Sequence, residues 1–81
     1  MRKPSDYQSV MRARGATILN RRKVLGWDQS ELATRAQVQI NFVKLIERGE
    51  MDAPHAIDRL FQTLNAELDR RRKTIERKNE R

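Results

Sequence analysis

Residues 28–49 read DQSELATRAQVQINFVKLIERG, and this segment carries the strongest prediction of the fold. The segment from Asp28 to Glu31 resembles a capping box, in which the Asp accepts from free amides of the first helical turn and the Glu reaches back. The helix that follows is short, because its apolar residues end at Ala36, after about two turns. A break near residues 37–38 precedes a second helix, which Gly49 ends. Two short helices joined by a tight turn predict a helix-turn-helix.

Longer helices are predicted on both sides of this pair. A first helix begins at Ser5 or Asp6 and ends at Gly26, and a fourth follows Pro54. From residue 69 onward only Ile75 is apolar, which leaves a polar helical extension and a frayed coil as alternatives. We expect an all-α domain of about five helices, divided into a basic segment with the start of the first helix (1–14), the helix-turn-helix domain (15–68) and an Arg-rich extension (69–81). The predicted core is Ile18, Leu25, Leu32, Ala33, Val38, Val43, Ile46, Leu60 and Leu64.

Composition argues against an enzyme. The chain has 81 residues, no cysteine and one histidine, His55, so one small core is expected. A thiolate nucleophile, a disulfide framework and a sulfur-rich zinc site all need cysteine, and we expect no metal and no cofactor. A small domain without disulfides is typical of a reducing cytoplasm. Apolar runs do not exceed four residues, which predicts no membrane span and no signal-peptide core.

The positive charge lies mainly at the two ends of the chain. Lys and Arg outnumber Asp and Glu by 18 to 11, which gives a net charge of +7. Residues 1–26 carry seven cations and one acid, residues 27–65 four cations and six acids, and residues 66–81 seven cations and four acids. This distribution favours a phosphate backbone or an acidic protein surface as partner, with solvated helix faces as the alternative.

A longer pattern surrounds the two short helices and resembles a known family. It consists of Gly15-x-x-Ile18-x-x-Arg21-Arg22-Lys23-x-Leu25-Gly26-Trp27-x-Gln29-x-x-Leu32-Ala33-x-x-Ala36-x-Val38, then Val43-x-x-Ile46-Glu47-Arg48-Gly49. In this order and spacing it resembles the Xre or Cro/C1-type helix-turn-helix family, which includes phage repressors, restriction–modification controller proteins and many antitoxins. Residues 64–68, LNAEL, are similar to the last core helix of HipB-like and Y4mF-like antitoxins. The resemblance implies a lambda-repressor-like fold and a double-stranded DNA-binding regulator in a bacterial, plasmid-host or phage-host cytoplasm, one that represses its own gene or serves as an antitoxin or controller protein.

The resemblance also implies roles for individual residues. Gln29 matches the glutamine that bonds a phosphate and braces the recognition helix, and Ala33 is the small residue that lets the two helices approach closely. Arg22 and Glu47 match a partly buried salt bridge between the first and third helices. For Arg22 a phosphate contact is the alternative. Removing one partner of a buried ion pair strands the other charge.

Sequence readout, in the resembling family, comes from the start and outer face of the third helix. The corresponding residues are Gln39, Ile40, Asn41, Lys44 and Leu45. Asn and Gln bond adenine in the major groove, Ile meets a thymine methyl, and Lys reaches guanine or a phosphate. Arg48 fits a phosphate clamp at the helix end. Phe42 is expected either in the groove or between helices, and for the polar residues an ordinary solvated surface is the alternative.

Three features depart from the family pattern. Gln37 stands where glycine is usual, so the backbone there must avoid positive φ or carry strain. Gln39 is a poor helix N-cap where the family often has Ser. The acidic residues after the third helix must point away from any phosphate; these are Glu50, Asp52 and Asp58.

The fourth helix is the expected pairing surface. One recognition helix contacts too few base pairs to select a genomic site, which favours a homodimer on an inverted repeat. Ile57, Phe61 and Leu68 extend the apolar stripe beyond what one small core should absorb. The competing interpretation places all three in the monomer core.

A second functional class remains open, because a fold does not settle a function. Exposed Ile40, Phe42 and Leu45 would form a hydrophobic docking patch for a protein, such as a transcription factor or a toxin. The chain would then be an antiactivator or antitoxin that does not bind DNA.

Overall fold

The computed structural model describes the backbone of residues 5–79 and the side chains of residues 6–75. Within this range the chain forms four helices and no strand: α1 (Ser5–Val24), α2 (Gln29–Ala36), α3 (Ile40–Glu47) and α4 (Pro54–Asn79). The first helix packs against α3 and α4, and α2 packs against α3 and α4. The all-α class predicted from the sequence is therefore confirmed.

The basic extension is continuous with α4, so the described chain has four helices rather than five. Ion pairs between residues three and four apart stabilise this part of α4, which makes little contact with the core. Glu67 pairs with Arg70 and Arg71, and Asp69 pairs with Arg72 and Lys73. The sequence left a polar helical extension and a frayed coil as alternatives, and the structure shows a helix as far as residue 79.

The core is close to the predicted one. Its buried apolar residues are Ile18, Leu25, Trp27, Leu32, Ala33, Ala36, Val43, Ile46, Ile57, Leu60 and Leu64. Val38 is an exception: it is half-buried and packs against this core from the outside. Ile57, expected on the pairing surface, is 8% exposed and lies in the core of the single chain, because it shares the inward stripe of α4 with Leu60 and Leu64.

Gly15 lies at a close contact between α1 and α3. It is a buried residue in the middle of α1, opposite the C-terminal end of α3. A Cβ at Gly15 would lie 2.3 Å from the carbonyl oxygen of Ile46 and 2.7 Å from that of Glu47. Only glycine allows the two backbones to approach this closely.

Only half of the predicted capping box is present at α2. The Asp28 side chain accepts from the backbone N–H of Glu31 at 2.7 Å, as an N-cap does. The Glu31 carboxylate does not reach back, because it pairs with Arg35 one turn later. Gln39 precedes α3 with extended backbone and no side-chain cap bond, which confirms it as a poor N-cap.

The turn between α2 and α3 carries backbone strain. Gln37 has φ 57° and ψ 45°, a left-handed conformation that costs a non-glycine residue about 1–2 kcal/mol. Arg59 of α4 braces this position, since its Nε donates to the Ala36 carbonyl at 3.0 Å and its Nη2 to Gln37 Oε1 at 2.7 Å. Of the two possibilities stated for Gln37, the chain adopts the strained one.

Gly15→Ala is expected to destabilise the protein by about 3 kcal/mol, because the new methyl group overlaps two carbonyl oxygens of α3. The intrinsic helix preference of alanine offsets only about 1 kcal/mol of this loss. Urea unfolding followed by circular dichroism measures the change.

Gly26→Ala serves as the control, since Gly26 has φ +76° but no atom within 4 Å of the added Cβ. Its expected loss is about 1–2 kcal/mol, from backbone strain alone. Equal losses in the two variants would contradict a steric requirement at Gly15.

Candidate nucleic-acid interface

The outer face of α3 is open to solvent and mostly polar. Its inward residues, Val43 and Ile46, are buried in the core, which turns the opposite side of the helix outward. Gln39, Asn41, Lys44 and Arg48 are exposed, and Ile40 is 39% exposed. Residues 40, 44 and 48 are four apart and therefore lie along one line of this face.

The two large apolar residues in the middle of α3 are less accessible than Ile40. Phe42 is half-buried and packs against the core, so its place is between the helices. Leu45 is also half-buried. The hydrophobic docking patch expected from three exposed residues is thus reduced to Ile40 and the open part of Leu45.

A buried hydrogen-bond network joins α1, α2 and α3. Arg22 and Glu47 form the expected ion pair in a two-pronged geometry, with Nε–Oε2 at 2.7 Å and Nη2–Oε1 at 3.0 Å. Their side chains are 10% and 4% exposed. Arg22 Nη1 also donates to the Trp27 carbonyl at 2.9 Å. Since each nitrogen of the guanidinium has a partner inside the protein, Arg22 is not placed for a phosphate.

Gln29 extends this network to the surface. It is the first residue of α2 and half-buried, and its Nε2 donates to Glu47 Oε1 at 3.0 Å. The same side chain lines an open cleft of about 330 Å³ together with Lys44 and Arg48. Gln29 therefore braces α3, as the resemblance implied, and stands beside two cations.

The acidic residues after α3 are partly neutralised within the fold. The Tyr7 hydroxyl donates to the Asp52 carboxylate, and Arg14 lies 4.0 Å from the same group. The hydrogen bond to Asp52 raises the pKa of the Tyr7 phenol, so the hydroxyl stays protonated as a donor. Glu50 lies 3.8 Å from Arg48, and both side chains are more than half exposed. This pair is weak.

The remaining predicted pairing residues lie on α4 beside its core stripe. Phe61 and Leu68 are half-buried and pack against the core. The Arg21 guanidinium lies 5.5 Å from the centre of the Phe61 ring, and its Nη1 donates to Asn65 Oδ1 at 2.6 Å. Leu68 borders an open cavity of about 240 Å³.

Two residues near the candidate interface were not predicted from the sequence. Arg59 braces the α2–α3 turn, and Arg12 of α1 packs against Gly49 just beyond α3. Both contacts join segments more than 20 residues apart, and no local spacing signals them.

The described residues contain no group of three or more His, Cys, Asp or Glu side chains that could hold a metal ion. None of the helices is long and apolar enough over its described residues to cross a membrane.

Comparison of the chain with models of protein families, with curated proteins and with solved structures finds no match.

Arg22→Met is expected to destabilise the protein by about 3–5 kcal/mol, because it leaves the Glu47 carboxylate buried without its cation. Replacing both partners, Arg22→Met with Glu47→Leu, should lose less than the sum of the single losses. Equilibrium denaturation of the three variants gives the coupling energy.

Lys73→Met is the matched control, since it removes one partner of an exposed pair with Asp69. A loss of at most about 0.5 kcal/mol is expected there. Additive losses at Arg22 and Glu47 would show that the buried pair is not coupled.

Proposed function

We propose that this protein is a sequence-specific double-stranded DNA-binding regulator rather than an enzyme. In this proposal α2 and α3 form a helix-turn-helix of the lambda-repressor-like type, and α3 is the recognition helix. The observation that carries the proposal is the outer face of α3, where Gln39, Asn41, Lys44 and Arg48 are exposed on a helix that the Arg22–Glu47 pair holds from behind.

The dimensions of α3 suit a major groove. An α-helix with its side chains is about 10–12 Å in diameter, and the major groove is about 12 Å wide. Asn41 and Gln39 offer the amide groups that pair with adenine, and Ile40 offers a methyl surface for thymine. Lys44 makes no ion pair with any described residue, so its charge is available to guanine or to a phosphate.

The rigid support behind α3 fits the same role. Base readout requires side chains held to within a fraction of an ångström by packing and secondary hydrogen bonds. The Arg22–Glu47–Gln29 network supplies this support from α1 and α2. Gln29 and Arg48, on either side of the cleft at the end of α3, are the proposed phosphate contacts.

We propose a homodimer on an inverted repeat, paired through α4. Phe61, Leu68 and Ile75 recur every seven residues along this helix, the spacing of a two-helix seam. Phe61 and Leu68 are half-buried, and Ile75 is 59% exposed. A second copy would cover all three and set half-sites about 34–36 Å apart. The protein would act in a bacterial cytoplasm, as a repressor of its own gene.

A protein-only function is the second candidate. It is favoured by Ile40, an exposed apolar side chain at the start of the polar face. A toxin or a transcription factor would then be the partner of α3. Binding to random duplex at two salt concentrations separates the candidates, since counterion release makes DNA affinity fall steeply with salt.

Asn41→Ala and Arg48→Ala are expected to have different effects on DNA binding. Asn41→Ala should lose about 1–3 kcal/mol of preference at one base pair of each half-site, with little change in non-specific affinity. Arg48→Ala should weaken binding to all sequences and lower the salt slope by about one. A specific site is first selected from a pool of random duplexes. Titration of each variant with that site and its single-base-pair variants measures base preference, and titration with a random-sequence duplex measures non-specific affinity. Identical behaviour of the two variants would overturn the assigned roles.

Leu68→Glu is expected to convert the dimer to a monomer, because it places a carboxylate in the apolar seam of α4. Sedimentation velocity at micromolar concentration without DNA measures the change. Val24→Glu is the control, since Val24 is an apolar residue of α1 that is 73% exposed. A wild-type monomer, or a Leu68→Glu dimer that still folds, would remove this interface.

A further inference from the structure

The N-terminal part of α1 carries charge but contributes little to the core. Among residues 6–14 only Met11 is half-buried, and the others are exposed. This segment is nevertheless held against the chain that follows α3. Tyr7 bonds Asp52, and Arg12 packs on Gly49 so closely that a Cβ there would lie 2.8 Å from Arg12 Cγ. Because residues 6–14 contribute little to the core but are held in place by these contacts, we look for a binding role for this segment.

Arg12 and Arg48 face a common cavity of about 420 Å³ between α1 and the segment after α3. Arg48 also lines the cleft that holds Gln29 and Lys44. Lys44, Arg48 and Arg12 therefore form one row, which begins on α3 and continues onto α1.

The charge in this cavity is not balanced within the described residues. Arg12 forms no ion pair among them. Arg48 has only the loose contact with Glu50, whose side chain is 56% exposed and free to turn outward. Asp52, the other nearby acid, is occupied by Tyr7 and Arg14. Two guanidinium groups beside one exposed carboxylate favour a bound anion.

We infer that Arg12 and Arg48 together bind a backbone phosphate of duplex DNA, so that α1 supplies a second backbone contact beside the recognition helix. This inference rests on the proposed function. Guanidinium groups match phosphate geometry and stay charged at any physiological pH. The Tyr7–Asp52 bond has a positioning role, because it holds α1 against the segment that follows α3.

The test is the salt dependence of binding to a random-sequence duplex, measured by fluorescence anisotropy. Arg12→Gln should lower the slope of log affinity against log salt by at most about 0.9, the value for one whole phosphate contact, because Arg48 stays at the same phosphate. Glutamine keeps the Cβ and Cγ that pack on Gly49, and circular dichroism checks the fold. Arg12→Lys keeps the charge and should keep the slope. Lys73→Gln on α4 removes the same charge elsewhere and should leave the slope unchanged.

Removing a negative charge near Arg48, instead of the positive charge of Arg12, gives a second test by duplex affinity. Glu50→Gln should strengthen binding several-fold by freeing Arg48, whereas Asp58→Asn, at an exposed acid on α4, should not. A slope unchanged by Arg12→Gln, or lowered equally by Lys73→Gln, would overturn this site while the wild type still binds DNA. A wild type without affinity for duplex would overturn the proposed function itself, and this inference with it.

Discussion

The ion pair between Arg22 and Glu47 is the interaction on which the rest of the structure depends. Burying two charges is costly unless geometry and additional hydrogen bonds compensate, and here they do. Each carboxylate oxygen of Glu47 accepts from the guanidinium, Gln29 donates to one of them, and the third guanidinium nitrogen donates to the Trp27 carbonyl. Three helices and the α1–α2 connection thus meet at one pair of side chains. The pair fixes the end of α3 next to α1, where Gly15 makes the close approach possible.

Helix α4 holds the same assembly from the other side. Arg59 braces the strained turn at Gln37, and Arg71 donates to the Leu25 carbonyl at the end of α1. Glu67 is almost buried at this point, and its hydrogen bonds to Arg70 and Arg71 lower its pKa, so it stays ionised as their partner. A single long helix therefore positions both the turn before α3 and the end of α1. The orientation of the outer face of α3 is set by contacts that lie entirely behind it.

The positive charge that remains for a partner depends on which cations already pair with a carboxylate inside the fold. Glu47 and Glu67 pair with arginines in or near the core. Asp52 lies near Arg14, and Asp69 pairs with Lys73, at the surface. Among the described residues, the cations without a close carboxylate include Arg12 and Lys44. Both lie on the side of the molecule formed by α1 and α3. Net charge alone favours an anionic partner, but the internal pairing decides where that partner would sit.

The sequence by itself determined the elements and the local signals at their ends. Apolar periodicity predicted most of the core and a helix where each of α1 to α4 lies, but it counted the extension as a fifth helix, whereas the extension continues α4. Asp28 marked the start of α2, and the pairing of Arg22 with Glu47 followed from a family resemblance. Tertiary structure alone decided the burial of Ile57, the packing of Phe42, the conformation of Gln37 and the position of Arg12 beside Gly49. The physical reason is that periodicity records which face of a helix is apolar, whereas burial depends on which neighbour covers that face. Contacts between residues distant in sequence carry no local signature, and they bring Arg12 to the cavity that Arg48 also lines.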